Sequence, residues 1–201
     1  MGRQGAGQDC LPLGAAMGSL TSKDIIEAIR FRYPSPWILI PELRCGSGFG
    51  KRSEQRMDAW VMHPYPSESN LRIGFEIKVS RQDFLNELKQ PLKRRGALLL
   101  SNQFFFIAPV GIVKPEEVPI ECGLIEVAKT DKKPGAGWKC VSSNTSDTAY
   151  WIDEIVDAPV RETILPTWRF VASLIRRVRD MGDEIPTAVD MAPAVVPMPD
   201  E

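Results

Sequence analysis

The clearest pattern in the sequence is the alternation of apolar residues with small or charged ones between residues 72 and 80. Successive side chains of a β-strand point to opposite faces of the sheet, so this alternation predicts a half-buried strand. Its apolar face carries Ile73, Phe75, Ile77 and Val79. Its other face carries two charged residues, Glu76 and Lys78, which share that face because they are two positions apart.

Short apolar runs predict four further strands. They cover residues 37–43, 56–62, 103–108 and 123–127. Three consecutive phenylalanines at positions 104–106 indicate that the third of these strands is buried on both faces. Strands of this kind, interleaved with helices, are typical of an α/β protein with a mixed sheet.

Capping signals predict where the helices begin. Thr21 is followed three residues later by Asp24, which is the pattern of a capping box, and this helix should end near Tyr33, ahead of a proline. Ser80 caps a second helix that continues to about residue 89. Each predicted helix carries an apolar stripe that can pack on a sheet.

A last helix is predicted from residue 166 or 167 to residue 181. Its spacing predicts a core-facing side made of Trp168, Val171, Leu174, Ile175 and Val178. The opposite, solvent-facing side is predicted to carry Arg169, Arg176, Arg177 and Arg179.

Composition divides the chain into three parts. Residues 1–20 are rich in glycine and are predicted to form a flexible arm, and residues 182–201 are predicted to be a disordered acidic tail rich in proline and alanine. One domain is expected between them, at residues 21–181. Within it we expect a core at 37–127, an exposed excursion at about 129–147 and the C-terminal helix at about 166–181.

The formal net charge of −1 conceals an asymmetry along the chain. There are 25 Lys and Arg and 26 Asp and Glu, but residues 180–201 hold six acidic residues and no basic one. Residues 1–179 therefore carry 25 basic and 20 acidic residues, a net charge of +5. A mildly basic domain with an acidic tail is compatible with a nucleic-acid partner.

Composition also excludes several classes of protein. No apolar run approaches the roughly 18–20 residues of a membrane-spanning helix, and the N-terminus lacks the apolar segment of a signal peptide, so a cytoplasmic protein is expected. The four cysteines lie at least 18 residues apart, and the only histidine is His63. These counts exclude a CxxC zinc half-site and a histidine pair, which leaves carboxylates and lysine for any catalysis.

Three charged residues on neighbouring predicted strands carry the candidate chemistry. A hairpin can bring Asp58 beside Glu76 and Lys78 on one face of the sheet. Two carboxylates, completed by a backbone carbonyl such as that of Ile77 and by waters, suit Mg²⁺ (or Mn²⁺), and the lysine could offset negative charge on a phosphodiester. The same spacing is also typical of a solvated strand face with a Glu–Lys ion pair, so both interpretations stay open at this point.

The motifs around these residues resemble those of the PD-(D/E)XK nuclease-like superfamily, and more narrowly those of the MmcB-like DNA repair proteins and related phage nuclease-like proteins. The resemblance covers roughly residues 37–127. The matching stretches are PEL at 41–43, RMDAW at 56–60, FEIKVSRQDF at 75–84, FFFIAP at 104–109 and VPIECGLIEV at 118–127. This resemblance implies a restriction-endonuclease-like core, in which a central mixed β-sheet is flanked by helices in the order αβββαβ.

The same resemblance implies roles for the site residues. Asp58 and Glu76 would bind the metal, Lys78 would be the catalytic lysine, and Glu42 would be a supporting acidic residue at the edge of the site. The implied activity is metal-dependent hydrolysis of DNA phosphodiesters in DNA repair, recombination or phage DNA processing. A non-catalytic DNA-binding or repair-accessory module on the same fold is the alternative.

A basic cluster accompanies the motif. Residues 72–95 contain seven basic and three acidic residues, a net charge of +4. The candidate DNA-binding residues in it are Arg81, Lys89, Lys93, Arg94 and Arg95. Such a cluster would hold phosphates by charge, without reading base sequence, whereas a solvated helix face is the other interpretation. A homodimer and a repair-protein partner both stay open.

Overall fold

The computed structural model describes residues 20–46, 55–130, 140–142 and 149–182. The predicted arm up to residue 19 and the predicted tail from residue 183 lie outside these residues. The helices are α1 (Ser22–Arg32), α2 (Arg81–Leu88), α3 (Arg95–Leu100) and α4 (Trp168–Asp180). The strands are β1 (Ile38–Arg44), β2 (Arg56–Met62), β3 (Arg72–Ile77), β4 (Gln103–Pro109), β5 (Gly123–Thr130), β6 (Cys140–Ser142) and β7 (Ala149–Val156).

The strands form one mixed sheet. Within the described residues it has seven strands in the order β1-β2-β3-β4-β5-β7-β6. The strands β1, β2 and β3 are antiparallel neighbours, β3, β4 and β5 run parallel, and β5, β7 and β6 are again antiparallel. The parallel pair β3–β4 needs a crossover, and α2 and α3 supply it. The protein is therefore α/β with a mixed sheet, as predicted.

Helices cover both faces of the sheet. Helix α1 packs its apolar stripe, which includes Ile25 and Ile29, on one face, where it meets β-strand residues such as Phe75 and Phe105. The other face carries Phe104 and Phe106 together with side chains from α2, α3 and α4. Strand β4 thus contributes phenylalanines to both faces, which confirms the prediction of a doubly buried strand.

Local signals fixed the two N-terminal helix starts. The Thr21 side chain accepts the backbone N–H of Asp24, and the Asp24 carboxylate accepts the Thr21 N–H at 2.8 Å, which completes the predicted capping box. Ser80 caps α2 by accepting the N–H of Asp83 at 3.2 Å. This cap ends β3 at Ile77 and leaves Val79 exposed, so the prediction of a strand to residue 80 was too long. A residue that caps a helix leaves the strand ladder before the helix begins.

The C-terminal half of the sheet differs from the prediction. Strand β5 extends to Thr130, residues 140–142 form β6, and β7, which was not predicted, pairs with both. Residues 131–139 and 143–148 of the predicted excursion lie outside the described residues. Pairing with β7 covers the edge of β5 that would otherwise present unpaired N–H and C=O groups.

The predicted faces of α4 are partly wrong. Trp168 and Ile175 were expected to face the core but are 86% and 64% exposed, whereas Phe170 is buried and packs its ring 5.9 Å from that of Trp60. Arg177, expected to face solvent, donates its Nε–H to the carbonyl oxygen of Pro41 at 2.7 Å. Compared with the prediction, α4 is turned about its own axis. Its buried side is set by its contacts with β1 and β2, which the spacing of apolar residues within the helix did not specify.

Among the described residues, none of the helices has the length and apolar character needed to span a membrane.

Candidate active site

The candidate site is an open cleft at the carboxyl end of β3, on the sheet face that α2 and α3 cover. Ligands of open α/β sheets bind beyond the carboxyl ends of parallel strands, and β3 is such a strand because it runs parallel to β4. The cleft has a volume of about 370 Å³. It is lined by Arg44, Gln55, Arg56, Asp58, Glu76, Glu87, Lys93, Arg94 and Ala97. The sequence-predicted carboxylates Asp58 and Glu76 therefore share one cleft.

Asp58 reaches the site from β2 and is anchored to β3. Its Oδ2 atom accepts the backbone N–H of Ile77 at 2.8 Å. Burial raises the pKa of the Asp58 carboxyl, against the opposing effects of that N–H and of the positive charges of Lys78 and Arg56. The carboxylate is thus held in place while it retains an unfavourable, partly desolvated charge.

Glu76 and Lys78 form an ion pair at the strand end. Lys78 Nζ lies 2.7 Å from Oε1 of Glu76. Burial, together with the negative charge of Asp58, raises the pKa of Glu76 to about 7, although the Lys78 ammonium acts in the opposite direction. Lys78 keeps this position although β3 has ended, because its backbone N–H still bonds to the Ile107 carbonyl on β4 at 3.0 Å.

A second glutamate, Glu87 on α2, completes this group and was not predicted. It is 7% exposed, and its Oε2 lies 3.5 Å from Lys78 Nζ and 4.0 Å from Lys93 Nζ. Burial acts to lower the pKa of Lys78, but Glu76, Glu87 and Asp58 outweigh it and raise that pKa. Lys78 is therefore an ammonium at neutral pH, suited to stabilising negative charge. Helical spacing could have indicated Glu87, because it lies three residues after the buried Phe84 on the same helix face.

The donor set fits a hard divalent cation in part. Asp58 and Glu76 offer two carboxylates in one open cleft, and Mg²⁺ is commonly bound by one or two carboxylates while it keeps several waters. Within the described residues, however, no group of three or more His, Cys, Asp or Glu side chains is arranged to hold a metal. The Ile77 backbone donates its N–H to Asp58, and its carbonyl oxygen as a metal ligand stays a prediction.

Glu42 is not brought into this cleft. Its side chain is 59% exposed and forms an ion pair with Arg56, at 3.8 Å. Its backbone has a φ of 54°, in the left-handed region that residues with a Cβ rarely adopt. No contact of Glu42 with Asp58 or Glu76 supports its predicted role as an acidic residue at the edge of the site.

The predicted DNA-binding residues fall into two groups. Lys93 and Arg94 line the cleft. Arg81 instead forms a bidentate ion pair with Glu117 and is held away from it. Lys89 is exposed on the surface, and Arg95 lines a separate groove of about 310 Å³. Only part of the basic cluster therefore belongs to the candidate site.

The charged residues that line the cleft differ in how exposed they are to solvent. Among the residues that the structure describes, the lining of the cleft has four basic residues, Arg44, Arg56, Lys93 and Arg94, and three acidic ones, Asp58, Glu76 and Glu87. Arg44, Arg56 and Lys93 are exposed, whereas Arg94 is buried. The cleft thus presents acidic groups and one buried guanidinium inside, with further cations toward solvent.

Comparison of the chain with models of known protein families, with curated proteins and with solved structures found no significant match.

Proposed function

We propose that the protein is a metal-dependent deoxyribonuclease with a restriction-endonuclease-like core of the PD-(D/E)XK type, acting in DNA repair, recombination or phage DNA processing. The observation that carries the proposal is the shared cleft of Asp58 and Glu76, with the Lys78 ammonium 2.7 Å from Glu76. Two carboxylates can hold a divalent ion, and a lysine ammonium can stabilise the negative charge that develops during phosphodiester hydrolysis.

In this proposal Asp58 and Glu76 bind Mg²⁺ or Mn²⁺, and the Ile77 carbonyl is a further candidate ligand. A bound divalent ion would supply a Lewis acid toward a phosphate oxygen. The Ile77 N–H fixes the orientation of the Asp58 carboxylate. The Lys78 ammonium, held between Glu76 and Glu87, offsets negative charge that develops on the phosphodiester.

The test is hydrolysis of DNA by the purified protein in MgCl₂ or MnCl₂, with single-stranded, duplex and branched substrates. Asp58→Asn, Glu76→Gln and Lys78→Met should each lower the cleavage rate by about 100-fold or more, because each removes one charged group of the site. Exposed residues outside the cleft provide matched controls that should cleave like the wild type: Asp157→Asn, Glu68→Gln and Lys23→Met. Intact DNA on every substrate, with a folded protein, would contradict the proposal.

A non-catalytic DNA-binding or repair-accessory module is the second candidate. It is favoured by the pairing of Lys78 with two glutamates and by the lack of a three-ligand group within the described residues. It predicts salt-sensitive DNA binding that survives Glu76→Gln, with no hydrolysis at any Mg²⁺ or Mn²⁺ concentration. Hydrolysis by the wild-type protein separates the two candidates, because Glu76→Gln is expected to bind DNA without cleaving it under both.

A further inference from the structure

Arg94 is a buried guanidinium in the wall of the cleft. Only 5% of the residue is exposed. Its Nη2 donates to Oε1 of Glu121 at 3.0 Å, and its charge acts to lower the pKa of the Cys122 thiol, whereas Nε and Nη1 are buried and have no hydrogen-bond partner among the described residues. Buried polar groups of folded proteins nearly always have partners, because an unpaired buried donor loses its hydration without compensation. Because Arg94 lines the cleft, these two donors, unpaired within the described part of the chain, are candidates for binding a ligand there.

The surroundings hold this guanidinium in one place. Its central carbon lies 5.8 Å from the centroid of the Phe106 ring, in the range of a cation–π contact. Arg94 ends a short 3-10 helix, Pro91–Arg94, that leads into α3. Gln55, the residue before β2, holds this segment: its Nε2 donates to the Leu92 carbonyl at 3.0 Å and its Oε1 accepts the Gly96 N–H at 2.8 Å. A ligand that meets Arg94 thus meets a preorganised donor, which lowers the entropy lost on binding.

The chemistry of the cleft indicates the class of ligand. A guanidinium with free N–H groups recognises an oxyanion, and phosphate is the oxyanion that arginine binds most often in nucleic-acid recognition. Three exposed cations, Arg44, Arg56 and Lys93, line the same open cleft. One buried donor with several exposed cations beside it suits a chain of phosphates more than a single small anion.

We propose that Arg94 is the phosphate-binding residue of the cleft and that its ligand is a phosphodiester group of a nucleic-acid strand. The assignment of the strand rests on the proposed function; the anion site itself rests on Arg94 and its free donors. Arg94 therefore acts by hydrogen bonding from inside the cleft, in contrast to the exposed basic residues, which act through long-range charge.

The test compares Arg94→Lys with wild type for binding of a fluorescent single-stranded oligonucleotide in EDTA, so that hydrolysis does not interfere. Lysine keeps the charge but loses the guanidinium donors, so affinity should fall about 10- to 100-fold, as expected for losing hydrogen bonds to a charged group. Arg30→Lys is the matched control. It lies exposed on α1, across the sheet from the cleft, and its affinity should be unchanged. Equal affinity of Arg94→Lys and wild type overturns the proposal.

A second measurement on the wild-type protein covers the case in which Arg94→Lys fails to fold. The ¹⁵N resonance of the Arg94 Nε–H, assigned through bonds, should shift when the oligonucleotide is added. A resonance that does not move overturns the proposal. A shift with inorganic phosphate but none with the oligonucleotide overturns the assignment of a strand as the ligand.

The phosphate-binding role of Arg94 and the proposed nuclease activity can fail independently of each other. If no DNA is hydrolysed while Arg94→Lys still weakens binding, the nuclease proposal fails and the phosphate site stands. If wild type hydrolyses DNA while Arg94→Lys binds as wild type does, the phosphate site fails and the nuclease proposal stands.

Discussion

Oδ2 of Asp58 accepts the backbone N–H of Ile77 at 2.8 Å, one step beyond the last backbone pair of β2 and β3, Ala59 with Phe75. The Asp58 side chain thus adds a hydrogen bond between β2 and β3 just beyond the point where their backbone pairing ends. The same carboxylate lines the cleft. Asp58 therefore has a structural role and a candidate chemical role, and substitutions can separate the two.

Asp58→Ala should destabilise the protein by about 1–3 kcal/mol, because it leaves the part-buried Ile77 N–H without its acceptor. Asp58→Asn keeps an acceptor oxygen and removes a charge whose burial is unfavourable, as the raised pKa of Asp58 shows. Its free energy of unfolding at pH 7 should equal or exceed that of wild type, while cleavage is lost. Urea unfolding of both variants measures the difference, and equal destabilisation by Ala and Asn would show that the N–H contact contributes little.

Glu76 should make stability fall as pH rises. Its pKa is raised from the ordinary value of 4.5 to about 7 in the folded protein, so between these values the folded state binds a proton that the unfolded state has lost. The free energy of unfolding should therefore decrease by about 1–3 kcal/mol from pH 4.5 to pH 7.5, as far as this group contributes. Urea unfolding in EDTA at several pH values measures the slope.

Glu76→Gln is the variant that tests this origin. Because glutamine does not titrate, the variant should lose that part of the pH dependence and be more stable than wild type above pH 7. Glu68→Gln, on an exposed position away from the cleft, should keep the wild-type slope. A Glu76→Gln profile parallel to that of wild type would assign the slope to other groups.

Lys78→Met should destabilise the protein most at high pH. It removes the cation that lies 2.7 Å from Glu76 and 3.5 Å from Glu87, and leaves their buried carboxylates facing one another. Breaking a buried ion pair in this way costs about 3 kcal/mol or more when the remaining groups are charged. At pH 5 the loss should be smaller, since the pKa of Glu76 near 7 allows that group to protonate.

The double variant Lys78→Met/Glu76→Gln isolates the pair. It should recover about 0.5–3 kcal/mol relative to additive single effects, measured by urea unfolding at pH 8. Lys23→Met, at an exposed position of α1, provides the control and should stay within about 0.5 kcal/mol of wild type. Additive effects would mean that Lys78 and Glu76 do not stabilise each other.

Gly96→Ala should disturb the Gln55 hydrogen bonds that hold the segment carrying Arg94, while it leaves the Arg94 side chain itself unchanged. A Cβ at residue 96 would collide with Oε1 of Gln55, the atom that accepts the Gly96 N–H. We expect a loss of stability of about 1–3 kcal/mol and weaker oligonucleotide binding. Gly46→Ala is the matched control, because a Cβ there meets no atom of the described residues within 4 Å. Thermal unfolding and oligonucleotide titration of the two variants measure both effects, and a Gly96→Ala protein that behaves like Gly46→Ala would show that Gln55 adapts freely.

Much of the fold could be predicted because its signals are local. The Thr21 capping box, the alternation through β3 and the phenylalanines of β4 each lie within a few residues, and the structure confirms them. Strand β7 was missed, although its sequence AYWIDEIV is rich in the aromatic and β-branched residues that favour strands. The rotation of α4 could not be predicted, because its orientation depends on contacts with Trp60 and Pro41, which are over a hundred residues away in the chain.

The candidate site, like the fold, could be predicted from the sequence only in part. By itself the sequence predicted that Asp58 and Glu76 lie on separate strands and that Lys78 shares a face with Glu76, because residues two apart on a strand point the same way. That Asp58 and Glu76 share one cleft, with Lys78 just past the end of β3, was decided by the tertiary structure. Tertiary structure alone decided that Glu87 joins Lys78 and that Glu42 and Arg81 lie elsewhere. It also decided that Arg94 is buried, with two donors unpaired within the described part of the chain. Burial and partnering of a charged side chain depend on which distant segments pack against it, and no local pattern in the sequence records that.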